Sequence, residues 1–403
     1  MILKKINLIM EIMRSNKITK KKFIALSSPN IFGNEWKYVK DCLDTEWVSS
    51  AGKYVNFFEE KISKFTKSKY AIACVNGTSA LHVALITVGV KENDEVIVPT
   101  ITFIAPINAV RYCNASPIFM DVDNDFCIDE YKTINFINKE TLFKNGNTYN
   151  KLSGKKIAAI IIAHLFGRSM MLDKIIKLCK QRNIKVVEDA SESLGNFYLT
   201  GKYKGKHTGT IGDAGCLSFN GNKVITAGGG GMILTNNKKI YERSLYLTTQ
   251  AKDDGVLFIH NDIGYNYRLS NVHAAIGLAQ LENIKIVISK KRKIHDCYKK
   301  KLKNKKEAEL LQIHDGATSN YWLNIIDLKK NLDQANMKKL IKKFAASKVE
   351  VRPIWKPNHL QKKYQKYQKY SINNAIKITK SSLCLPSDLK LSERDIERIV
   401  ELL

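Results

Sequence analysis

The sequence predicts an α/β fold in which helices cover both faces of a mostly parallel central sheet. Helical and strand-like patterns alternate from about residue 33 to 250. The predicted strands are continuously apolar, as in Ile157–Ala163, and such strands are typical of a sheet that is buried on both faces. After about residue 250 short strands mix with helices, which predicts a smaller C-terminal α+β region.

The first 250 residues contain most of the predicted sheet. Apolar residues at helical spacing predict helices at 34–45, 55–66, 80–88, 104–112 and 171–181. Short apolar runs predict strands at 70–75, 95–99, 117–122, 157–163 and 185–187. This alternation predicts a large α/β domain over residues 23–250, preceded by a basic extension over residues 1–22.

Residues 251–403 show a different pattern from the first 250 residues, because short predicted strands are interspersed among helices. We predict helices at 271–282, from there through about 303, at 334–348 and at 393–403, with short strands at 321–328 and 349–351. The segment 362–370 repeats Lys, Tyr and Gln and is predicted to be an exposed loop. Together these elements predict a smaller α+β domain.

The chain is strongly basic, since 66 Lys and Arg residues against 38 Asp and Glu residues give a formal net charge of +28. An excess of this size favours anionic partners such as nucleic acid, a membrane surface or a phosphorylated substrate. Arginine is scarce, however, and no basic run alternates with aromatic residues as in a nucleic-acid groove. We therefore predict no nucleic-acid partner, whereas a ligand that carries phosphate would be attracted by this charge.

The cysteines and the apolar stretches predict a cytoplasmic protein. None of the eight cysteines has CxxC spacing, which favours small core residues in a reducing compartment. No His, Cys and Asp set has metal-ligand spacing, so no metal is expected. No apolar stretch approaches the ~20 residues of a membrane span. The apolar stretch near the N-terminus is short and broken by charges, which argues against export.

One lysine lies in a sequence context suited to a cofactor that carries phosphate. Lys223 follows Ser218-Phe219-Asn220-Gly221-Asn222 and precedes the four glycines at 228–231. A lysine is the group that holds pyridoxal phosphate (PLP) as a Schiff base, and glycines allow close approach of the backbone. Ser218 offers a hydroxyl to the same phosphate. The alternative is a glycine-rich turn with an incidental lysine.

Three further features follow predicted strands, where α/β sheets bind their ligands. Asn76-Gly77-Thr78-Ser79-Ala80 attracts an anion with its amides and hydroxyls, although N-capping of a helix explains it equally well. Asp189 ends another strand, where a buried carboxylate needs a cation such as the pyridine nitrogen of PLP. An ordinary strand-end acid is the alternative. Phe103 either stacks on a flat ring or packs in the core.

Other enzyme classes find no support in the sequence. It contains no GxSxG, Walker A or GxGxxG pattern, so a serine hydrolase, a P-loop enzyme and a Rossmann dehydrogenase are disfavoured. His164 and His207 are predicted to be structural or to contact a substrate. The order of the phosphate motif, Asp189 and Lys223 along the chain favours a PLP enzyme.

With these residues in place, the chain from about Ser28 to its end resembles the DegT/DnrJ/EryC1/StrS family of nucleotide-sugar aminotransferases. The segments that carry the resemblance are 76–81, 99–103, 188–195, 209–213, 218–231 and 264–268. The resemblance implies a fold-type I PLP-transferase that works as a homodimer with shared active sites.

The resemblance also implies roles for individual residues. Lys223 would bind PLP covalently and then move protons between the α-carbon and C4′, and Asp189 would pair with the pyridine nitrogen. Glu192, where relatives often have Gln or His, would lie near the ring hydroxyl. Phe103 would stack on the ring. The residues that hold the phosphate would be Gly77, Thr78, Ser79, Ser218 and, from the neighbouring subunit, Asn266.

A closer resemblance is to the aminotransferases of legionaminic acid biosynthesis. It rests on residues 29–36, 47–50, 206–209 and 219–223. It implies transfer of the amino group of L-glutamate to C4 of a UDP- or GDP-linked 4-keto-6-deoxy-N-acetylhexosamine, in the synthesis of a surface-glycan sugar. The candidate substrate contacts are Trp47, His207, Arg352, Trp355 and His359.

Three other functions stay open at this point. The first is amination of another keto sugar, such as a perosamine, bacillosamine or pseudaminic acid precursor, because a small change in pocket shape changes the substrate. The second is a sugar dehydratase of the same superfamily, but those enzymes carry His at the position of Lys223. The third is a non-catalytic basic binding protein, which only the net charge suggests.

Overall fold

The structure is a computed structural model that describes residues 22–403, so the predicted extension lies outside the described residues except for Lys22. Its α-helices are α1 (Glu35–Asp44), α2 (Lys53–Thr66), α3 (Gly77–Thr87), α4 (Ile104–Tyr112), α5 (Glu130–Lys139), α6 (Asp173–Gln181), α7 (Lys238–Thr248), α8 (Asn271–Glu282), α9 (Ile284–Leu302), α10 (Gln334–Ala346), α11 (Asn374–Ser381) and α12 (Glu393–Glu401). Its strands are β1 (Tyr70–Cys74), β2 (Glu95–Pro99), β3 (Ser116–Met120), β4 (Thr141–Lys144), β5 (Asn147–Asn150), β6 (Ile157–Ala163), β7 (Lys185–Asp189), β8 (Ala214–Ser218), β9 (Gly231–Thr235), β10 (Glu309–Leu310), β11 (Asn324–Asp327), β12 (Arg352–Pro353), β13 (Lys369–Tyr370) and β14 (Ser382–Leu385).

Within residues 22–403, eight strands form the central sheet in the order β1-β9-β8-β7-β6-β2-β3-β13. Every strand runs in the same direction except β9, which is antiparallel to β1 and to β8. The prediction of a mostly parallel sheet is therefore confirmed. The carboxyl ends of the parallel strands consequently meet at one edge of the sheet.

Helices cover both faces of this sheet because its strands are apolar on both sides. Val96 and Val98 of β2 pack on one face in a cluster with residues of α3, α4 and α7, whereas Ile97 packs with α5 and α6 on the other. Alternate residues of a strand point to opposite faces, so a continuous apolar run fills two cores at once. Each fully buried aliphatic side chain contributes roughly 1.5–3 kcal/mol to stability.

A smaller antiparallel sheet in the C-terminal region has the strand order β10-β11-β14-β12. Its core packs against α9, α10 and α12 and includes Tyr298, Phe344 and Leu383. The N-terminal residue Ile24 joins this core and forms a bridge with Val349. Residues on both sides of position 250 thus contribute to this region. The domain boundaries at residues 22 and 250 stay a prediction.

Most predicted elements are confirmed, some of them with identical bounds, such as β2, β6, α4 and α8. Two predictions in the C-terminal region are wrong. Residues 349–351 form no strand, because Val349 makes only a single bridge and pairing begins at β12. Residues 362–370 are not simply a loop, because β13 pairs in parallel with the edge strand β3. Both errors involve partners that are distant in the sequence.

Two further findings bear on the environment of the protein. None of the helices that the structure describes has both the length and the apolar character that crossing a membrane requires. All eight cysteines are free, and most of them are buried in the core.

Candidate active site

A cavity of about 790 Å³ lies at the carboxyl ends of the parallel strands. Residues that directly follow β1, β2, β6 and β8 line it, together with Asp189 at the end of β7. The C-terminal region closes the other side with Trp322, Glu350 and residues 352–356. This is the edge at which α/β sheets bind ligands.

Lys223 projects into this cavity from a turn after β8. The turn is closed by the amide of Lys223, which donates to the carbonyl of Asn220 at 3.0 Å. The Lys223 amine donates to Oε1 of Glu192 at 3.0 Å and lies 4.4 Å from the centre of the Trp322 ring. The lysine side chain is only 14% exposed. The amine is therefore held in place by a carboxylate and an aromatic face.

Glu192 is buried and bonded from two sides. Its Oε2 accepts the backbone amide of Phe166 at 2.9 Å, while its Oε1 faces Lys223. Burial raises the pKa of this carboxyl, and the nearby Lys223 amine opposes the rise. Glu192 is thus a buried carboxyl group that is fixed directly beside the amine.

The start of α3 forms a cradle for an anion. Asn76 caps the helix with its side chain, which accepts the amide of Ser79 at 2.8 Å. The amides of Gly77 and Thr78 donate to no described residue, and both residues line the cavity. A Cβ on Gly77 would lie 3.0 Å from Cβ of Ser218, so this helix start contacts the end of β8. Free amides and hydroxyls at a helix N-terminus fit a phosphate.

The adjacent strand approaches this cradle so closely that only glycine fits. A Cβ on Gly231 of β9 would lie 2.4 Å from the carbonyl oxygen of Asn76. The sequence predicts close approach of the backbone at the glycine run 228–231. In the structure Gly231 allows β9 to pack directly against the backbone of Asn76.

Asp189 supplies a buried negative charge at the bottom of the cavity. The residue is 7% exposed, and Oδ1 accepts the amide of Ser191 at 3.1 Å. That bond is the single hydrogen bond to its carboxylate from the described residues. A buried carboxylate with so few donors fits a cationic partner such as a protonated pyridine nitrogen.

Four aromatic rings, Phe103, Trp355, Phe166 and Trp322, form an aromatic wall along the cavity. Trp355 stacks on Phe166 with 4.7 Å between ring centres and meets Phe103 edge-on at 6.0 Å. Trp322 is parallel to Phe166 at 6.2 Å. Phe103 is 55% exposed, so its face is free for a flat ring.

The structure brings most of the predicted site residues together. The predicted residues that line the cavity are Gly77, Thr78, Phe103, Asp189, Glu192, Ser218, Lys223, Arg352 and Trp355. Ser79 lies in the first turn of α3 and presents only its amide to Asn76. Asn266 and Trp47 are exposed residues outside this cavity, so the contacts proposed for them stay predictions.

The two histidines that the sequence offers as substrate contacts are not among the residues that line this cavity, and their contact with a substrate stays a prediction. His207 is fully buried, with Nε2 accepting the Gly195 amide at 2.7 Å and Nδ1 bonded to the carbonyl of Thr208. His359 is also buried, and its Nδ1 bonds to the hydroxyl of Thr100 at 2.6 Å. Both rings form hydrogen bonds within the protein, and the sequence pattern does not predict these contacts.

His207 is expected to make the protein sensitive to acid. Burial lowers the pKa of His207 from 6.5 to about 4. Between these two pH values the unfolded chain binds a proton at His207 that the folded chain does not. The free energy of unfolding is therefore highest above pH 6.5 and decreases as the pH falls toward 4. The loss is on the order of 3 kcal/mol. Urea unfolding between pH 7.5 and 4.5 should show a steeper decline for the wild type than for His207→Gln, and equal slopes would contradict it.

Sequence reasoning missed Phe166 and Trp322. Phe166 adopts a left-handed backbone conformation, with φ of 57°, and donates its amide to Glu192. Such a conformation is uncommon for a bulky residue and is characteristic of functional sites. Phe166 follows β6 directly, so the strand-end rule was a usable signal. Trp322 comes from the C-terminal region, and no local pattern marks it.

The comparisons with known proteins agree with this geometry. The profile of the DegT/DnrJ/EryC1/StrS aminotransferase family matches residues 29–403. The chain belongs to this family. It is 39% identical to the GDP-perosamine synthase of Escherichia coli O157:H7, over 94% of this chain and 97% of that protein. It is 29% identical to a UDP-4-amino-4,6-dideoxy-N-acetyl-beta-L-altrosamine transaminase of Campylobacter jejuni, over 94% and 96% of the two chains.

The fold also matches that of a solved putative sugar aminotransferase. The PLP form of Spr1654 from Streptococcus pneumoniae superposes with a TM-score of 0.82, covering 94% of this chain and 97% of that one at 21% identity. The protein is therefore a PLP-dependent nucleotide-sugar aminotransferase with the fold-type I architecture. The closer resemblance to legionaminic acid enzymes stays a prediction, because the names of the two relatives above refer to perosamine and to an altrosamine.

The residues present fit PLP. The amides at the start of α3 and the hydroxyls of Thr78 and Ser218 would hold its phosphate, Asp189 its ring nitrogen, and Lys223 its aldehyde carbon. When bound, PLP accepts the amino group and stores the electrons released at the α-carbon. The chain itself would supply orientation and the Lys223 amine, which is the group predicted to take and return the proton.

Proposed function

We propose that this enzyme transfers the amino group of L-glutamate to C4 of a nucleotide-linked 4-keto-6-deoxyhexose. The observation that carries the proposal is the position of the Lys223 amine in one cavity with Asp189 and the anion cradle. In the first half-reaction Nζ of Lys223 removes the α-proton of glutamate, while Glu192 keeps the amine oriented at 3.0 Å. The second half-reaction runs the same proton transfer in reverse on the sugar.

The wall opposite the cradle suits a nucleotide sugar. Arg352 lies at this side of the cavity, more than half exposed, and is held by Glu350 with 2.6 Å between Nη2 and Oε1. Glu350 in turn accepts the backbone amide of Leu26 at 3.0 Å. An anchored guanidinium matches the diphosphate of the substrate, and Trp355 offers a flat apolar surface to a sugar or base.

We further propose a GDP-linked sugar without an acetamido group as the preferred substrate. The support is the GDP-perosamine synthase, which shares more residues with this chain than the transaminase for the UDP-linked N-acetyl sugar does. The second candidate is the N-acetylhexosamine of the legionaminic type, which the segment Phe219-Asn220-Gly221-Asn222-Lys223 favours. In both cases the chemistry at Lys223 is the same.

A homodimer in the cytoplasm completes the proposal. Asn266, the proposed phosphate contact in a second subunit, is exposed and lies close to a segment with exposed apolar side chains. The apolar residues of that segment are Val256, Leu257, Phe258, Ile259 and Ile263. An exposed apolar surface of this kind favours contact with a second copy of the chain, which would bury these side chains. The free cysteines are compatible with a reducing compartment.

The first test is the visible absorbance of the purified protein with PLP, before and after L-glutamate is added. We expect a yellow protein whose band shifts to that of the aminated cofactor. Two keto sugars are then offered, one GDP-linked with a hydroxyl at C2 and one UDP-linked with an acetamido group. Mass spectrometry should show faster amination of the GDP sugar. A protein that stays colourless with added PLP would overturn the assignment.

Replacing Arg352 by alanine should separate the two half-reactions. We expect KM for the nucleotide sugar to rise about tenfold or more, since a charge-assisted hydrogen bond is lost. The rate with glutamate alone should change less than about twofold, because glutamate carries no diphosphate. Arg182→Ala is the matched control, because that half-buried arginine bonds to Asn138 outside the cavity. An equal loss in both half-reactions would contradict the role of Arg352.

A further inference from the structure

Lys291 is a buried lysine that the reaction scheme does not use. It lies on α9 and is 2% exposed. Its amine donates to the carbonyl of Ser387 at 2.8 Å and to the carbonyl of Trp322 at 3.3 Å, and it lies 3.4 Å from the Ser387 hydroxyl. No described carboxylate lies within ion-pair distance of the amine, and the nearby Asp388 carboxylate opposes the lowering of its pKa by burial. A buried amine satisfied only by neutral oxygens is costly, so a benefit elsewhere is expected to offset it.

Trp322 connects this lysine to the active site. Its backbone carbonyl accepts a bond from Lys291, and its indole Nε1 donates to the carbonyl of Asn222 at 2.7 Å. The face of the same indole lies 4.4 Å from the Lys223 amine. Trp322 is therefore fixed at its backbone by Lys291 and at its ring by the residue that precedes Lys223.

The space behind Lys223 is not completely filled. Lys223 and Lys291 both line a small cavity of about 10 Å³, together with Val224, Thr226 and Gln280 among others. A volume of this size holds roughly one water molecule. The contacts that hold the Lys223 amine are those to Glu192 and to the face of the Trp322 ring.

We propose that Lys291 is a positioning residue, which holds Trp322 so that its ring keeps the Lys223 amine in the reactive orientation. The proposal rests on the proposed function, since it concerns the same lysine. Burial lowers the pKa of Lys291 to about 8. The geometry does not depend on the charge, because a neutral amine still donates to both carbonyls.

Lys291→Met tests the proposal, because methionine fills the same channel without a donor. We expect kcat per PLP-loaded site to fall about tenfold, with both KM values changed less than about twofold. The circular dichroism of the bound cofactor in its visible band should also change, because that signal reports how the cofactor is oriented in the site. If Lys291→Met does not fold, Lys291→Gln retains one donor and should show an intermediate loss.

A double-mutant cycle separates positioning from general stability. If Lys291 acts through Trp322, Lys291→Met should have little further effect on kcat in a Trp322→Phe background. Additive losses would overturn the proposal. Tyr298→Phe is the matched control, because this buried tyrosine on the same helix bonds to Pro386 at 3.0 Å but not to Trp322. It should lower thermal stability and leave kcat per loaded site unchanged.

The dichroism measurement keeps the two proposals distinguishable. A wild type that binds PLP but aminates no keto sugar would contradict the proposed function, and a changed signal in Lys291→Met would still support positioning. A Lys291→Met protein with the wild-type signal and kcat would overturn the inference alone.

Discussion

Replacing Lys223 by alanine is expected to lower transamination by at least about 10³-fold, the range for loss of a positioned proton-transfer group. The Lys223 amine is the proposed nucleophile and proton carrier, and its neighbours Glu192 and Trp322 offer no amine that could replace it. The variant should still bind PLP through the anion cradle and Asp189. Single-turnover kinetics with L-glutamate, followed by visible absorbance, measures the loss.

Two controls make the Lys223 experiment specific. Borohydride should attach PLP covalently to the wild type and not to Lys223→Ala, as intact-protein mass spectrometry shows. Lys239→Ala changes an exposed lysine at the start of α7 and should leave the rate unaltered. Near-normal amination by Lys223→Ala would remove the basis of the assignment.

Asp189→Asn is expected to have the second-largest effect, a loss of at least about 10² in kcat, similar to removing a preorganised charge from an active site. Asparagine keeps the shape of the side chain and its oxygen can still accept the Ser191 amide. It removes the buried negative charge that favours a protonated pyridine nitrogen. The cofactor ring then draws electrons less strongly from the α-carbon.

The Asp189 experiment has a matched control within the same sheet. Asp213 accepts the amide of Val186 at 2.8 Å near the other end of β7 and does not line the cavity. Asp213→Asn should therefore affect stability more than rate. A wild-type rate of α-proton removal in Asp189→Asn, measured with deuterated glutamate, would show that this carboxylate is an ordinary strand-end acid.

The site residues that follow strands were predictable, and those that meet across the fold were not. Asp189 ends a strand, and Gly77 and Lys223 follow a strand or its turn, where local sequence determines the position. From the sequence, His207 is either structural or a substrate contact, and His359 is a candidate substrate contact. Their rings bond to Gly195 and Thr100 in the structure, and these contacts depend on packing that no spacing reveals.

The sequence by itself determined the α/β class, most boundaries of helices and strands, and the order of the cofactor motifs. These features depend on the spacing of apolar residues and on turn residues, and both of these act on the local structure of the chain. Only the tertiary structure decided that Trp322 lies against Lys223, that Phe166 donates to Glu192 and that β13 extends the large sheet. These contacts join segments far apart in the chain. Their geometry follows from how the two sheets and their helices pack, and the sequence pattern carries no information on that packing.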